Sequence, residues 1–494
     1  MTGVDGVADP RFDEHEYEDA LEPKHLIRRS DVVLKAGILM LGAGTSGLRV
    51  RELMQSVAAT VGIQRLHADI SFTSVTLTVG RRRTFRTQVG EIPNPGVNAH
   101  RIAMLQDLGN TLPARATVTE VDARLREIEQ TPRLYPEWAL VVLVAFACAS
   151  IAVLGGGSWR EVLAVLPASA LAYWLHRRQG AWQLNHLATV LISAAVASGL
   201  YLGFSGLLDL VVGEPSPRTA AGFISACIFL IPGFPLVTAG LDLARIDLQA
   251  GIPRLVYAAM VLLCITIGVW LVATLSGLSA DPVPPLDAPL PVVLTLSLVA
   301  SFFAVFGWAT MFNSPLRMAV ASGLIAAACN LPRLLLLDAG VRPHVATFIG
   351  TFLMGLSCAL VARVFHMTKI IMTVPVVLVV IPGGSALRTL LYFDQSDVVS
   401  ALNSGVSTVL VAIAMIAGLA GARMLTDPEW AFTRPEPPTL ALARMRRLLA
   451  FRRPGRATQD AVRGRLVGRE ATPPSPEEPD EDEEPDLRRP PAAG

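Results

Sequence analysis

The stretches Phe229–Asp247 (FLIPGFPLVTAGLDLARID) and Val374–Leu390 (VPVVLVVIPGGSALRTL) decide the fold of this chain. Both contain Ile-Pro-Gly inside an apolar run, and the two tripeptides lie 150 residues apart. Proline has no backbone N–H, so the carbonyl four residues earlier loses its helical partner. The pattern therefore predicts two interrupted helices with unpaired carbonyls at Ile228 and Leu378.

Around these stretches, residues 138–421 are almost continuously apolar. The chain has 494 residues, of which 52% are hydrophobic and only 17% charged, whereas soluble domains carry about 25% charged residues. A helix needs about 20 apolar residues to cross a bilayer. We therefore predict an α-helical polytopic membrane protein with about ten spans. They lie near 138–156, 159–175, 184–204, 220–241, 254–277, 291–311, 316–336, 343–363, 370–391 and 398–421.

The spacing of the two Ile-Pro-Gly motifs divides these spans into two halves of five helices, residues 136–278 and 279–421. An odd number of crossings in each half places the halves in opposite orientations, the inverted-repeat plan of many secondary transporters. Interrupted helices are tolerated in a bilayer where protein or a water-lined cavity satisfies the backbone. We expect the two breaks to line one substrate cavity, formed by Pro232, Gly233, Pro382, Gly383, Ile228 and Leu378. Simple proline kinks are the competing interpretation.

The two ends of the chain differ from its apolar middle. Residues 1–29 are acidic and predicted to be disordered, and residues 30–135 are predicted to form a small α/β domain. Helical patterns cover 30–41 and 48–61, a hairpin follows at residues 75–89, and Thr117 with Glu120 predicts a capped helix. The tail, residues 422–494, begins as a basic amphipathic stretch that could lie on an anionic leaflet and ends acidic and proline-rich.

The placement of basic residues predicts the orientation. No signal peptide is evident, and Lys and Arg accumulate on the cytoplasmic side of membrane proteins. With the N-terminus inside, seven basic residues fall in cytoplasmic loops and four in outer loops. The inner set is Arg177, Arg178, Arg245, Arg254, Arg317, Arg363 and Lys369, and the outer set is Arg160, Arg218, Arg333 and Arg342. We expect a multi-pass protein of the inner (plasma) membrane with both termini in the cytoplasm.

Three charged residues follow the breaks. Asp242 and Asp247 come after the first, where a carboxylate could meet both membrane and cytoplasm and couple transport to protons. A solvated loop held by ion pairs is the alternative interpretation. Arg388 follows the second break, where its planar fork could bind a substrate carboxylate or could instead reach to the membrane interface.

Other kinds of chemistry have little support. The glycines of Gly42–Gly47 (GAGTSG) fit GxGxxG, but a helix rather than a strand precedes them, so a tight helix–helix turn is favoured over nucleotide binding. The five cysteines form no CxxC pair, the histidines are scattered, and the net charge of +1 does not favour nucleic acid. We expect no enzyme activity, cofactor or metal site.

The chain resembles the threonine/serine exporter family over about residues 30–425. The matching stretches are Gly42–Glu52 (GAGTSGLRVRE), Asp69–Val79 (DISFTSVTLTV), Phe229–Asp247, Gly251–Leu255 (GIPRL) and Val374–Leu390. The resemblance implies export of threonine and serine driven by the proton motive force. Related proteins with the halves on separate chains are associated with dicarboxylate export. Dicarboxylates or small peptides are therefore alternative substrates, and a membrane-anchored ligand sensor is an alternative of another class. A homo-oligomer is compatible with the sequence.

Overall fold

The computed structural model describes most of the chain. The described residues are 24–81, 84–92, 96–113, 115–182, 184–278, 283–284, 286–365, 368–427 and 430. The predictions for the acidic N-terminus up to residue 23 and for the tail beyond residue 430 lie outside them.

Residues 24–130 combine four helices with one antiparallel sheet of three strands in the order β1-β2-β3. In chain order the elements are α1 Lys24–Gly42, α2 Gly47–Thr60, β1 Arg65–Ile70, β2 Ser74–Arg81, β3 Thr84–Glu91, α3 Ala99–Thr111 and α4 Val118–Gln130. The sequence patterns predicted α1, α2, α4 and the β2–β3 hairpin. They missed β1 and α3, because β1 buries only two of its six residues and so shows little alternation.

Two local predictions in this N-terminal segment are confirmed. Thr117 and Glu120 form a capping box at α4, in which each side chain accepts a hydrogen bond from the other's backbone N–H. The Thr117 N–H bond holds the pKa of Glu120 below its ordinary value, since it stabilises the carboxylate. The GAGTSG stretch is a tight turn between α1 and α2, with Gly44 at a φ of 94°.

The remaining elements are helices in two series. The first series contains α5 Glu137–Leu154, α6 Trp159–Gln179, α7 His186–Val212, α8 Thr219–Ser225, α9 Gly233–Ala244 and α10 Leu248–Ser276. The second series contains α11 Leu290–Met311, α12 Leu316–Asp338, α13 Pro343–Val364, α14 Lys369–Leu378, α15 Gly383–Asp394 and α16 Val398–Thr426. By length and composition, seven of the described helices can cross a membrane (α5, α7, α10, α11, α12, α13 and α16). Two bent pairs, one ending in α9 and one made of α14 and α15, raise the number to nine. The chain is thus an α-helical polytopic membrane protein.

Helix α6 is long enough to cross but is not among these nine candidates. Its first turn carries Arg160 and Glu161, and its last turn carries His176, Arg177 and Arg178. The charges at its start are satisfied, because Arg160 pairs with Asp209 and Glu161 accepts hydrogen bonds from Ser158 and Ser216. Helix α12 does qualify, although Asn330 and Arg333 lie within it.

Small residues let the helices approach closely. A Cβ added to Gly307 would lie 2.6 Å from the Leu143 carbonyl oxygen, and one added to Gly268 would lie 2.6 Å from that of Leu191. Such contacts are typical of membrane helix packing, where close backbone approach replaces the hydrophobic driving force.

The N-terminal segment is hydrogen-bonded to the turn between α11 and α12. Asn313, at a φ of 61°, donates to the Asn98 side chain at 2.8 Å and accepts from the Leu134 N–H at 2.9 Å. The N–H groups of Ala99 and His100 donate to the carbonyls of residues 312 and 313. The sheet-bearing segment is therefore fixed to one end of the helical region.

Candidate functional site

The two Ile-Pro-Gly motifs break their helices in nearly the same way. Pro232 has φ −77° and ψ 59°, and Pro382 has φ −81° and ψ 56°. Each proline precedes a twelve-residue helix, α9 or α15. The bend is 73° at the first break and 42° at the second. Both predicted interruptions are therefore present.

The carbonyls expected to be unpaired are not. The Ile228 oxygen accepts from the Ile231 N–H at 3.1 Å, and the Leu378 oxygen accepts from the Ile381 N–H at 3.2 Å. The chain tightens into a three-residue turn before each proline, which replaces the bond that proline removes. This prediction was wrong because the helix ends at the break instead of continuing past it.

The free polar groups at the breaks are N–H groups at the starts of α9 and α15. In α15 the first N–H that bonds back into the helix is that of Ala386, which donates to Pro382. Gly384 and Ser385 therefore present N–H groups without a helical partner. The corresponding positions in α9 are Phe234 and Pro235, so α9 presents one such group and α15 two.

The breaks pack against each other. A Cβ added to Gly233 would lie 2.3 Å from Leu378 Cδ2, and one added to Gly383 would lie 3.4 Å from Ile224 Cγ2. Each glycine thus faces the helical arm that leads into the other break. The first contact leaves no space for a side chain, and the second is an ordinary van der Waals distance.

Beside the breaks lies a cavity of about 410 Å³, here called the Arg388 cavity. Pro382, Gly383, Ile228 and Leu378 line it together with Arg388. Its polar lining consists of two arginines and four hydroxyl residues: Arg333, Arg388, Ser225, Thr347, Ser385 and Ser407. None of the described residues that line it is acidic. The cavity therefore favours a negatively charged group.

The two arginines of this cavity differ in their contacts. Arg333 donates from Nε to Asn330 at 2.7 Å, and Asn330 donates to Ser301 at 2.9 Å. Arg388 is half-buried, and no hydrogen bond or ion pair joins it to the part of the chain that the structure describes. Arg333 is thus held in place while Arg388 is available to a ligand.

Pro232 and Gly233 line a different cavity, which contradicts the expectation of one shared cavity. This Pro232 cavity measures about 480 Å³. Gly96 and Val97 of the N-terminal segment also line it, as does Gly180 after α6. The Arg388 cavity reaches the opposite helix ends, at Gly155 and Pro343. The contact between the breaks separates the two cavities.

Asp242 is buried at the end of α9, contrary to the interpretation of a solvated loop. It is 3% exposed and forms an ion pair with Arg254, which is 2% exposed. Arg254 also donates to the Thr45 carbonyl at 2.9 Å. A buried pair of this kind needs additional hydrogen bonds to offset desolvation, and the α1–α2 turn supplies one.

Asp247 occupies a helix cap. Its carboxylate accepts from the Ala250 N–H at 3.3 Å at the start of α10, and Asp397 accepts from the Ser400 N–H at 3.1 Å at the start of α16. Asparagine caps helices about as well as aspartate. The cap accounts for Asp247 without any role in proton transfer.

The sequence reasoning missed several polar residues near the breaks. Tyr173, His176, His186 and Tyr257 line the Pro232 cavity. His186 is hydrogen-bonded to Tyr257 at 2.8 Å. Arg333, predicted to lie in an outer loop, lies within α12 and lines the Arg388 cavity. A charge inside a span, such as that of Arg333, is itself a sign of function. The two tyrosines and two histidines of the Pro232 cavity lie near helix ends, where their presence in the sequence gives no such sign.

Two interrupted helices that meet within a polytopic bundle, with a cavity containing some polar side chains on each side, are typical of a membrane transport protein. Two family models match the chain: ThrE, described as "Putative threonine/serine exporter", over residues 31–276, and ThrE_2, described as "Threonine/Serine exporter, ThrE", over residues 297–424. The chain belongs to the threonine/serine exporter family.

Three bacterial proteins are similar to parts of the chain. A protein of Klebsiella aerogenes named "Probable succinate transporter subunit YjjP" is 25% identical over 250 residues, which are 50% of this chain and 93% of that protein. The protein of the same name in Escherichia coli (strain K12) is 25% identical over 252 residues, again 50% and 93%. An "Uncharacterized protein" of Haemophilus influenzae is 22% identical over 147 residues, 30% of this chain and 46% of that protein. No solved structure matches the chain.

Proposed function

We propose that this protein is a secondary exporter of small carboxylate-bearing metabolites, with threonine and serine as the first candidates. The observation that carries the proposal is the Arg388 cavity, where Arg388 of α15 has no hydrogen-bond or ion-pair partner among the described residues. The substrate carboxylate would lie against Arg388 and the N–H groups of Gly384 and Ser385. A helix N-terminus and a guanidinium both stabilise such a group.

Dicarboxylates are the second candidate. A zwitterionic amino acid needs an acceptor for its ammonium group, yet the described lining offers hydroxyls and carbonyls but no carboxylate. Arg333 and Arg388 could instead address one carboxylate each. The name of the relatives that match half of this chain, a succinate transporter subunit, is in keeping with this alternative.

We further propose that ten membrane-spanning helices form two inverted halves of five, with α6 as the tenth span. The matching geometry at positions 150 residues apart supports this. It includes Pro232 and Pro382, the left-handed residues Ile246 and Ser396, and the helices α10 and α16, of 29 residues each. The halves would be residues 136–278 and 279–421, and the α/β domain residues 30–135.

Proton coupling is assigned here to Asp242. It is a buried carboxylate at the end of a broken span, and its partner Arg254 contacts the N-terminal segment. Protonation of Asp242 would release Arg254, and the α1–α2 turn would sense that release. The proton motive force would thereby drive a rearrangement of the helices around the breaks.

The protein is proposed to lie in the inner (plasma) membrane with its N-terminal segment and both termini in the cytoplasm. The Pro232 cavity would then face the cytoplasm and the Arg388 cavity the outside. A homo-oligomer stays a prediction, to be tested by measuring the mass of the purified protein. The paired breaks support transport over the alternative of a ligand sensor, which does not require two of them.

The test of function is uptake into inverted vesicles, where export appears as accumulation. Labelled threonine, serine and succinate are compared in vesicles with and without the protein. Arg388→Gln is expected to lower uptake of the substrate by roughly tenfold or more, the usual effect of losing a charged hydrogen bond. Arg342→Gln is the matched control, because Arg342 is exposed at the start of α13 and does not line the cavity.

Uptake of threonine and serine but not succinate would establish the first candidate, and the reverse result the second. If none of the three accumulates above empty vesicles, or if Arg388→Gln behaves like Arg342→Gln, the proposed substrate site is wrong.

A further inference from the structure

A third cavity lies between the N-terminal segment and the helical region. This Arg423 cavity measures about 750 Å³. Residues of α2 and α3, such as Ser56 and Gln106, form one wall. The ends of α13, α14 and α16 form the other. None of the residues at the two breaks is part of it.

The cavity is lined by four basic and three acidic residues: Arg49, Arg363, Lys369, Arg423, Glu52, Asp107 and Asp427. Three of the four cations have protein partners. Arg49 pairs with Glu52 at 2.7 Å, Lys369 pairs with Asp427, and Arg363 donates to the Thr426 carbonyl. These contacts leave one cation to be explained.

Arg423 is that cation. It is 9% exposed, and its Nε is buried without a hydrogen-bond partner. No carboxylate pairs with it among the residues that the structure describes. Among the described residues, its ring contact is with Trp430, whose centroid lies 5.4 Å from the guanidinium carbon. Asp242, a buried carboxylate at the same end of the helices, already forms an ion pair with Arg254.

A buried guanidinium with no carboxylate at ion-pair distance among the described residues is unfavourable, because burial removes water and only more distant charges offset the loss. Its planar fork fits the two oxygens of a carboxylate or phosphate. A cation–π contact offsets only part of this cost. An anion entering the cavity would meet Arg423 on one wall and the polar groups of α2 and α3 on the other.

We propose that the Arg423 cavity binds a small oxyanion, a carboxylate or phosphate group, at a site separate from the breaks. The ligand bridges the N-terminal segment and the membrane helices. Its oxyanion belongs either to a free metabolite or to the headgroup of an anionic lipid. The polar wall formed by Ser56, Gln106 and Asn110 suits a ligand that arrives from water.

The experiment is calorimetric titration of the full chain, purified in neutral detergent. The probes are inorganic phosphate, succinate and short-chain phosphatidylglycerol. Arg423→Gln is expected to weaken binding by roughly tenfold or more, and Arg423→Lys by less, because it keeps the charge but loses the fork. Arg317→Gln, an exposed arginine at the start of α12, is expected to bind as the unchanged protein does.

A second variant keeps the test valid if Arg423→Gln fails to fold. Gln106→Glu adds a carboxylate to the opposite wall, at a half-buried position, and is expected to weaken anion binding by repulsion. Binding of phosphate or succinate that the Arg423 variants weaken assigns the site to a free metabolite, and such binding of the lipid alone assigns it to the bilayer.

Arg388→Gln distinguishes this site from the proposed transport site. It should leave anion binding at Arg423 unchanged even where it lowers export. The proposal is overturned if no probe binds, if Gln106→Glu and the Arg423 variants bind as tightly as Arg317→Gln, or if binding is lost only in Arg388→Gln.

Discussion

Two aspartates five residues apart show how much a single side chain's role depends on its surroundings. Asp242 and Asp247 both follow the first break, and sequence reasoning assigned both to proton coupling. The structure places Asp242 in a buried ion pair with Arg254 and Asp247 at a helix cap. The proposed proton coupling therefore rests on Asp242, the buried member of the two.

Asp242→Asn is expected to insert and fold but to lose proton-coupled export. The amide cannot titrate, and it leaves Arg254 without a counter-charge, so the step driven by protonation is removed. Export would be measured in inverted vesicles with and without an imposed pH gradient. We expect the gradient to stimulate the unchanged protein and to have little effect on the variant.

Asp247→Asn is the matched control for the same substitution. Because asparagine also caps helices well, export and its dependence on the gradient should persist. An Asp242→Asn protein that responds to the gradient normally would show that the buried pair is structural. Equal losses in both variants would argue against assigning the coupling to Asp242 alone.

At the scale of elements, the two breaks have similar backbone dihedral angles but differ in the space around their glycines. A side chain on Gly233 would overlap Leu378, which is 3% exposed, whereas one on Gly383 would only touch Ile224. Overpacking a buried contact costs about 1–3 kcal/mol. The same substitution, glycine to alanine, can therefore be compared at a crowded position (Gly233) and at an open one (Gly383).

Gly233→Ala is expected to impair transport and lower thermal stability, and Gly383→Ala to be nearly neutral. Leu378→Ala should partly rescue Gly233→Ala, because it removes the methyl groups that the new Cβ meets. Unfolding of the purified variants and uptake in vesicles would be measured for the double-mutant cycle. Equal effects of the two alanines, or an additive double mutant, would contradict the contact between the breaks.

The elements also show what the sequence could and could not predict. Proline chemistry and apolar length located the broken helices and most spans, because both act along the chain. The separation of Pro232 from the Arg388 cavity depends on how distant helices cross, which no local pattern encodes. The cavity at Arg423 was not predicted, because the helices that line it, among them α2, α3, α13, α14 and α16, come from distant parts of the sequence.

At the scale of the molecule, the N-terminal segment and the Pro232 cavity lie at the same end of the helices. Asn313 fixes the segment to the turn between α11 and α12, and Gly96 and Gly180 line the same cavity. The side of the membrane on which Gly180 lies is therefore the side of the whole N-terminal segment. The orientation of the N-terminal segment in the membrane can therefore be determined by labelling one position at each end of the helices.

We predict that Gly180 faces the cytoplasm and Asp287 the outside. The last turn of α6, just before Gly180, holds His176, Arg177 and Arg178, and clusters of arginine are retained inside. A side chain at Gly180 meets nothing within 4 Å, and Asp287 is exposed between α10 and α11. Cysteines at both positions should therefore be tolerated.

The measurement is labelling with a membrane-impermeant maleimide, in a background where the five native cysteines are replaced and export is retained. Four of the native cysteines are buried, so their replacements should be small residues. Asp287→Cys should react in intact cells, and Gly180→Cys only after the membrane is permeabilised. The reverse pattern would place the N-terminal segment outside. The Arg388 cavity would then open to the cytoplasm and the Pro232 cavity to the outside, the reverse of the proposed orientation.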